Sequence, residues 1–468
     1  MSTTDERVRN GYGDGPGATG QLATGTEMTE TEVTGTEVTG TAPAIAPADA
    51  MAALAAADRF GEYVGYEGPD GWVFAADPIG GIELDSAELR VEWEGRATAE
   101  PWQGRPAAVV DAALAALPLR GRTAYGWIGF EFCAWALGAD AHVPARTTLA
   151  HLMIPRIEVR IDASGVRVSG ATPRETAEIH ELIAQASATP PPSSRPVDVT
   201  IDPTDYRGRV AEAVDEIRAG RYQKVILSRK VDLPFPVDVP QTYRLGRANN
   251  TPARSFLLRL GGLEAAGFSP ELVASVDRDR VVTTEPLAGT RAFGRGETAD
   301  AAAREELVGD PKEIVEHAIS VQTSFGEIAA VAEPGSTAVS DFMAVRERGS
   351  VQHLASTVRG TLADGKSAWD ALEMLFPSVT ASGIPKRTGV DAVFRLDHDP
   401  RGLYSGAVVT VSPGGALEAT LVLRAIYQTT EGAWLRAGAG IVSQSRPERE
   451  FTETCEKLGS VAPYVVEA

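Results

Sequence analysis

The chain has 468 residues, 43% of them hydrophobic, and a formal net charge of -20 from 64 acidic and 44 basic side chains. That length and apolar content allow a large buried core, and the charge repels nucleic-acid phosphates and anionic membrane surfaces over most of the molecule. Any anionic small molecule must be held by local positive groups. Two cysteines, Cys133 and Cys455, are too few for a disulfide framework and fit a reducing cytosol. The N-terminus lacks a signal pattern, and no apolar run reaches the roughly 18 residues of a membrane helix. A cytoplasmic protein with no nucleic-acid or membrane partner is expected.

Residues 1–47 include T-G-T-E-M-T-E-T-E-V-T-G-T-E-V-T-G-T, a Thr/Glu/Gly repeat with too little apolar surface to offset chain ordering, and are predicted to be a disordered tail. A helix follows in A-D-A-M-A-A-L-A-A-A-D-R-F, then strands in R-I-E-V-R-I-D and G-V-R-V-S-G. The Pro/Ser-rich stretch 188–196 is a loop or linker. Beyond it, strands are predicted at 224–231, 255–260, 272–277, 405–411 and 417–427. Their alternation and short Gly-containing turns favour antiparallel pairing, so the class is α+β with large antiparallel sheets. Helices are predicted at 311–321 and 448–458. No phosphate loop or complete dinucleotide fingerprint is present, and neither cysteine sits in a nucleophile turn.

Those two helices carry the most suggestive polar pattern. Glu450, Glu453 and Lys457 fall on one side of the second helix, with Phe451, Cys455 and Leu458 on another. In the first, Glu313 and Glu316 are three apart and set opposite Ile314, Val315, Ala318 and Ile319. Both faces can be ordinary solvated surfaces, with Glu453 and Lys457 as an i,i+4 pair. Gathered at one place, the four carboxylates would repel unless a hard divalent cation sat among them, and oxygen-only ligands suit Mg²⁺.

His353 has no second histidine at ligand spacing and reads as a hydrogen-bonded histidine near a cleft. Lys224 opens an apolar strand, where it either snorkels to water or, desolvated in a cleft, serves as a general base. Glu271, after F-S-P, holds a turn position expected to be exposed and inert. Arg424 interrupts an apolar strand, which calls for an anionic partner, either a structural carboxylate or one on a substrate. Gly438 and Gly440 would let backbone N–H groups approach a ligand ahead of the final helix.

Six segments in order, T-E-P-L-A-G-T-R, G-D-P-K-E-I-V-E-H, S-V-Q-H-L-A-S-T-V-R, F-P-S-V-T-A-S-G-I-P-K, R-G-L-Y-S-G-A-V and R-A-G-A-G-I-V-S-Q-S-R-P-E-R-E-F-T-E-T-C-E-K, resemble the motifs of the chorismate-utilising enzymes. Within that family the chain is most similar to the salicylate synthases of mycobactin-type siderophore pathways, over roughly residues 205 to 460 and more weakly back toward residue 55. The resemblance implies one catalytic domain over 48–468, usually monomeric, with antiparallel sheets at the centre and helices outside. It implies Mg²⁺ between Glu316, Glu453 and the ring carboxylate of chorismate, with Glu313 and Glu450 acting directly or through water. Lys224 would be the base and Glu271 the acid, with His353 lining the ring pocket. Arg424 and Tyr404 would bind the enolpyruvyl carboxylate, Lys457 would help neutralise the ring carboxylate, and Gly289, Thr290, Thr380 and Gly438 would shape the cleft. The implied reaction is chorismate to isochorismate, then to salicylate and pyruvate. An enzyme stopping at isochorismate is the alternative; an ammonia-adding relative or a non-catalytic chorismate binder follows behind. Ammonia-adding relatives carry glutamine at the position of Lys224, which points away from them. Gln444 departs from an acid found in many relatives but leaves all four glutamates in place.

Overall fold

The alternating stretches become strands that pair antiparallel in one long hydrogen-bonded series. The computed structural model describes residues 46–57, 59–186, 189–348 and 351–468, and the repeat expected to form the tail lies outside them. The series starts with Gly383–Ile384 on Lys224–Leu233 and runs through Gly432–Ile441, Ala425–Thr429, Leu263–Ser269, Arg254–Leu260 and Tyr63–Gly68 to Gly71–Asp85. It continues through Thr148–Asp162, Ala124–Ile128, Ala407–Val411, Leu417–Leu421, Leu272–Val276 and Val281–Thr284 to Val351–Thr361. Strands Leu287–Ala292 and Ala338–Arg348 flank that last one. Apolar side chains such as Phe256, Leu258, Val408 and Tyr427 fill the space between the layers. Helices cover the outside: Pro311–Ala329 packs on the Val351–Thr361 end, and Pro447–Leu458 packs on Gly432–Ile441 near the other end. Among the described residues no helix is long and apolar enough to cross a membrane.

Two corrections to the sequence reading locate the site. The strand expected over 417–427 is broken: Leu417–Leu421 pairs with Leu272–Val276 and Ala407–Val411, whereas Ala425–Thr429 pairs with Leu263–Ser269 and Gly432–Ile441. Val422–Arg424 is therefore the point where the chain leaves one layer for the next, and Arg424 takes a left-handed φ of 52° there. The neighbouring passage from Leu263–Ser269 to Leu272–Val276 makes the same switch, and Glu271 sits in it. The two passages are stitched side by side by Phe268 N–H donating to the Arg424 carbonyl and Leu421 N–H to the Glu271 carbonyl. Glu271 is consequently 3% exposed and not a surface turn residue. The second correction concerns helix Pro311–Ala329, whose buried residues are His317, Ser320, Val321, Ser324 and Ile328, while Val315 is 57% exposed. His317 turns inward because its Nε2 meets Ser356 Oγ at 2.7 Å on the strand beneath. Glu313 and Glu316 thus border the packed side and do not oppose it.

A buried polar cluster ties the layers together. Asp397 Oδ1 accepts from the Ser228 N–H at 2.8 Å, and Oδ2 accepts from Ser228 Oγ at 2.7 Å and Arg401 Nε at 2.8 Å, with Arg436 Nη2 at 3.3 Å. Arg401 also donates to the carbonyls of Ala381 at 2.7 Å and Ile226 at 2.6 Å. Burial pushes the Asp397 carboxyl up, but Arg401 and Arg436 outweigh it and hold it below the usual range. Such a carboxyl contributes stability above the ordinary aspartate pKa and loses it as acid protonates the folded form. We expect Asp397→Asn, which strands two buried guanidinium groups, to lower the unfolding free energy by about 3–5 kcal/mol in denaturant titrations at neutral pH.

Candidate active site

The two ends of the strand series meet through charged residues. Lys224, the first residue of its strand and 7% exposed, reaches across to Glu316 with Nζ 2.5 Å from Oε1. On the facing helix, Lys457 Nζ lies 2.9 Å from Glu453 Oε1 and donates to the Gly438 carbonyl at 2.8 Å. Arg291 holds Glu313 at 3.2 Å, together with Glu306 at 2.9 Å and Asp310 at 2.8 Å. Glu450 is buried.

The carboxylates feel one another across this gap. Burial raises Glu316, but Lys224 holds it below the usual range while Glu453 pushes the other way. Glu453 is likewise raised by burial and pulled down further by Lys457. Glu450, raised by burial and by Glu453, sits above the usual range despite a hydrogen bond from Ser445. Lys312 lowers all three. Glu453 thus acts electrostatically on both Glu316 and Glu450, whereas Glu313 is held by Arg291. Among the described residues no three acidic, histidine or cysteine side chains form a metal cage by themselves. In donor type the set suits a hard divalent cation, which would have to take over from Lys224 on Glu316 and from Lys457 on Glu453.

Buried Glu271 meets the 378–382 segment. Ser378 Oγ is 2.5 Å from Oε1, and Thr380 Oγ1 is 2.8 Å from both carboxyl oxygens. Burial pushes the Glu271 pKa up to about 7; Ser378 and Thr380 oppose the rise, Glu285 adds to it, and Lys224 lowers it. Lys224 is thus near enough to act electrostatically on Glu271.

A third group forms the far wall. Arg424 Nη2 lies 3.2 Å from His353 Nε2. A guanidinium only donates, so Nε2 accepts and the proton of the neutral ring belongs on Nδ1. That nitrogen is 3.0 Å from Thr290 Oγ1 and 3.2 Å from the Gly289 carbonyl. Gly289 has a φ of 74°, and a Cβ there would approach Glu313 Oε2 to 3.0 Å. Tyr404, 2% exposed, lies under the guanidinium groups of Arg401 and Arg436, with 5.7 and 5.5 Å to the ring centre. Gln444 is exposed at the turn before the final helix, away from these contacts.

The sequence reading missed Ser378, Arg291, Lys312 and Arg401. Ser378 had a signal, standing two residues before Thr380 in the same motif. Arg291 and Lys312 likewise lie inside quoted motifs, but charged residues at helix starts and strand ends are too common to single out.

The profile of the chorismate binding enzyme family matches residues 63–463. The chain is 52% identical over 425 residues to a salicylate synthase of Mycolicibacterium paratuberculosis, covering 90% of this chain and 94% of that one. The crystal structure of anthranilate synthase component I from Streptococcus pneumoniae is similar with a TM-score of 0.69 at 24% identity, covering 83% of this chain and 91% of that one. The menaquinone-specific isochorismate synthase of Escherichia coli gives 0.68 at 20% identity, covering 90% and 92%. At those identities the two structures establish the fold alone: large antiparallel sheets with helices outside, as the strand patterns predict.

One position tests how tightly the cleft floor is built. A Cβ on Gly438 would lie 2.6 Å from the Leu227 carbonyl oxygen and 2.9 Å from the Tyr404 hydroxyl. The need for glycine thus comes from the adjoining strand and Tyr404. Gly438→Ala should cost about 1–3 kcal/mol by overpacking, read as a lowered Tm.

Proposed function

The chain belongs to the chorismate binding enzymes, and on that premise we propose that it is a Mg²⁺-dependent salicylate synthase converting chorismate to isochorismate and then to salicylate and pyruvate. The observation carrying this reading is that Lys224 acts electrostatically on Glu271, a buried carboxyl with its pKa raised to about 7. Exchange of a ring hydroxyl for water needs a base for the incoming water and an acid for the departing oxygen. The 52% identical relative is named for this activity, which supports the assignment.

In the first step Lys224 takes a proton from water as its oxygen bonds to C2, and Glu271 gives its proton to the C4 oxygen, which leaves as water. The resting contact with Glu316 must part for Lys224 to reach the ring. Glu316 and Glu453 would hold Mg²⁺, with Glu313 and Glu450 acting directly or through water, and the ion would supply charge neutralisation for the ring carboxylate. Lys457 adds positive charge beside that carboxylate. Arg424 and Tyr404 receive the enolpyruvyl carboxylate, and Arg424 also donates to His353 Nε2. Gly289, Thr290 and Gly438 shape the ring pocket. In the second step an intramolecular hydrogen shift breaks the bond to the enolpyruvyl oxygen, releasing pyruvate, and the residues chiefly orient the substrate.

The purified chain with chorismate and Mg²⁺ should yield fluorescent salicylate and equimolar pyruvate; isochorismate accumulating without pyruvate would overturn the second step. Glu271→Gln is expected to cut turnover by about 10²–10⁴-fold with a modest effect on binding, and Lys224→Gln to lose water addition. Unchanged rates would remove either assignment. Because Glu271 works protonated, kcat/KM should fall as pH rises through about 7.

A further inference from the structure

Glu271 is expected to give up a proton and take it back in every turnover, yet it is buried, so both charge states need partners. The hydroxyls around it are arranged to supply them. Ser378 Oγ meets Oε1 at 2.5 Å, Ser378 and Thr380 hydroxyls meet each other at 2.7 Å, and Thr380 Oγ1 meets Oε2 at 2.8 Å. Neutral Glu271, Ser378 and Thr380 together own three acidic hydrogens, one for each of these three contacts.

We propose that Ser378 and Thr380 are positioning residues that close a one-way ring of hydrogen bonds with protonated Glu271, fixing its proton on Oε2. In this ring the Oε2 hydroxyl donates to Thr380, Thr380 donates to Ser378, and Ser378 donates to Oε1. For transfer the Oε2–H turns from Thr380 to the departing C4 oxygen of the substrate; as the C4–O bond breaks the proton passes to that oxygen, and the carboxylate left behind keeps Ser378 on Oε1. Thr380 can then turn its own hydrogen to either carboxyl oxygen, since both lie at 2.8 Å. Each carboxyl oxygen carries either its own proton or a donor in both states, which keeps the acid both available and rechargeable. The ring is held rigid from behind: Ser382 Oγ donates to the Ser378 carbonyl at 2.9 Å, and Arg401 donates to the Ala381 carbonyl at 2.7 Å. The charged groups acting on Glu271 are Glu285 and Lys224, and the backbone of Glu271 is pinned by Ser269 Oγ.

This inference rests on Glu271 being the acid. Its test is a set of kcat, KM and pH profiles for Ser378→Ala, Thr380→Val, Thr380→Ser, the double Ser378→Ala/Thr380→Val, and Glu271→Gln, with thermal melting of each. Opening the ring at either point should lower kcat about tenfold or more while KM moves less than about threefold. The alkaline limb of kcat/KM should rise in pH, because a carboxylate that loses a donor holds its proton more tightly. Thr380→Ser should restore both, and the double variant should be no slower than the slower single one, since a ring is broken only once. Singles that lower kcat by factors that multiply in the double, or that leave the alkaline limb in place, would overturn the ring. If Glu271→Gln turns over normally, the acid assignment fails; if it is inactive while Ser378→Ala keeps the parent kcat and pH limb, the ring alone fails.

Discussion

Everything at the site is referred to one buried carboxylate, Asp397. It is more than a counter-charge, because the two arginines it holds also donate to the backbone carbonyls of Ala381, Ile226, Asp399 and Pro400. Through Ile226 the cluster fixes the strand that begins with Lys224, and through Ala381 it fixes the segment carrying Ser378 and Thr380. The strand that carries Lys224 and the segment whose hydroxyls hold Glu271 are thereby tied to one guanidinium, Arg401. Tyr404 lies beneath the same two arginines, so the wall expected to receive a carboxylate is levelled against the same reference.

The cleft solves a problem posed by the chain's own charge. A molecule with a net charge of -20 offers an anionic ligand little long-range welcome, and four glutamates at the binding site deepen the repulsion. The structure answers with cations interleaved among them: Lys224 on Glu316, Lys457 on Glu453, Arg291 on Glu313. Each carboxylate is thereby partly neutralised within the chain itself.

The sequence made the antiparallel class readable because alternating apolar residues and glycine turns are local signals. It also made the polar helix faces readable, since Glu450, Glu453 and Lys457 recur at helical spacing. What local pattern could not show was where strands change layers. The run 417–427 is largely apolar, with Arg424 its one interruption in the second half, and its two different sets of partners reveal the break at Val422–Arg424. For the same reason Glu271 read as an exposed turn: a short passage between strands is normally at the surface, and here it is roofed by residues more than a hundred positions later. The buried side of the 311–329 helix was misjudged because it is polar, with His317 bonded to Ser356, while its apolar Val315 faces water.

None of the candidate catalytic residues precedes Lys224, yet the strands before it are not an appendage. Tyr63–Gly68 is seated between Gly71–Asp85 and Arg254–Leu260, and Ala124–Ile128 between Thr148–Asp162 and Ala407–Val411. The strandless Pro/Ser-rich connector before residue 202 is therefore a seam in the sequence and not in the solid. Severed there, the pieces would be mutually dependent fragments, each with raw strand edges that only the other can cover. A gene fusion or shuffling event could not carry the chemistry away on the C-terminal part alone; the silent first half travels with it as the missing staves of the same sheet.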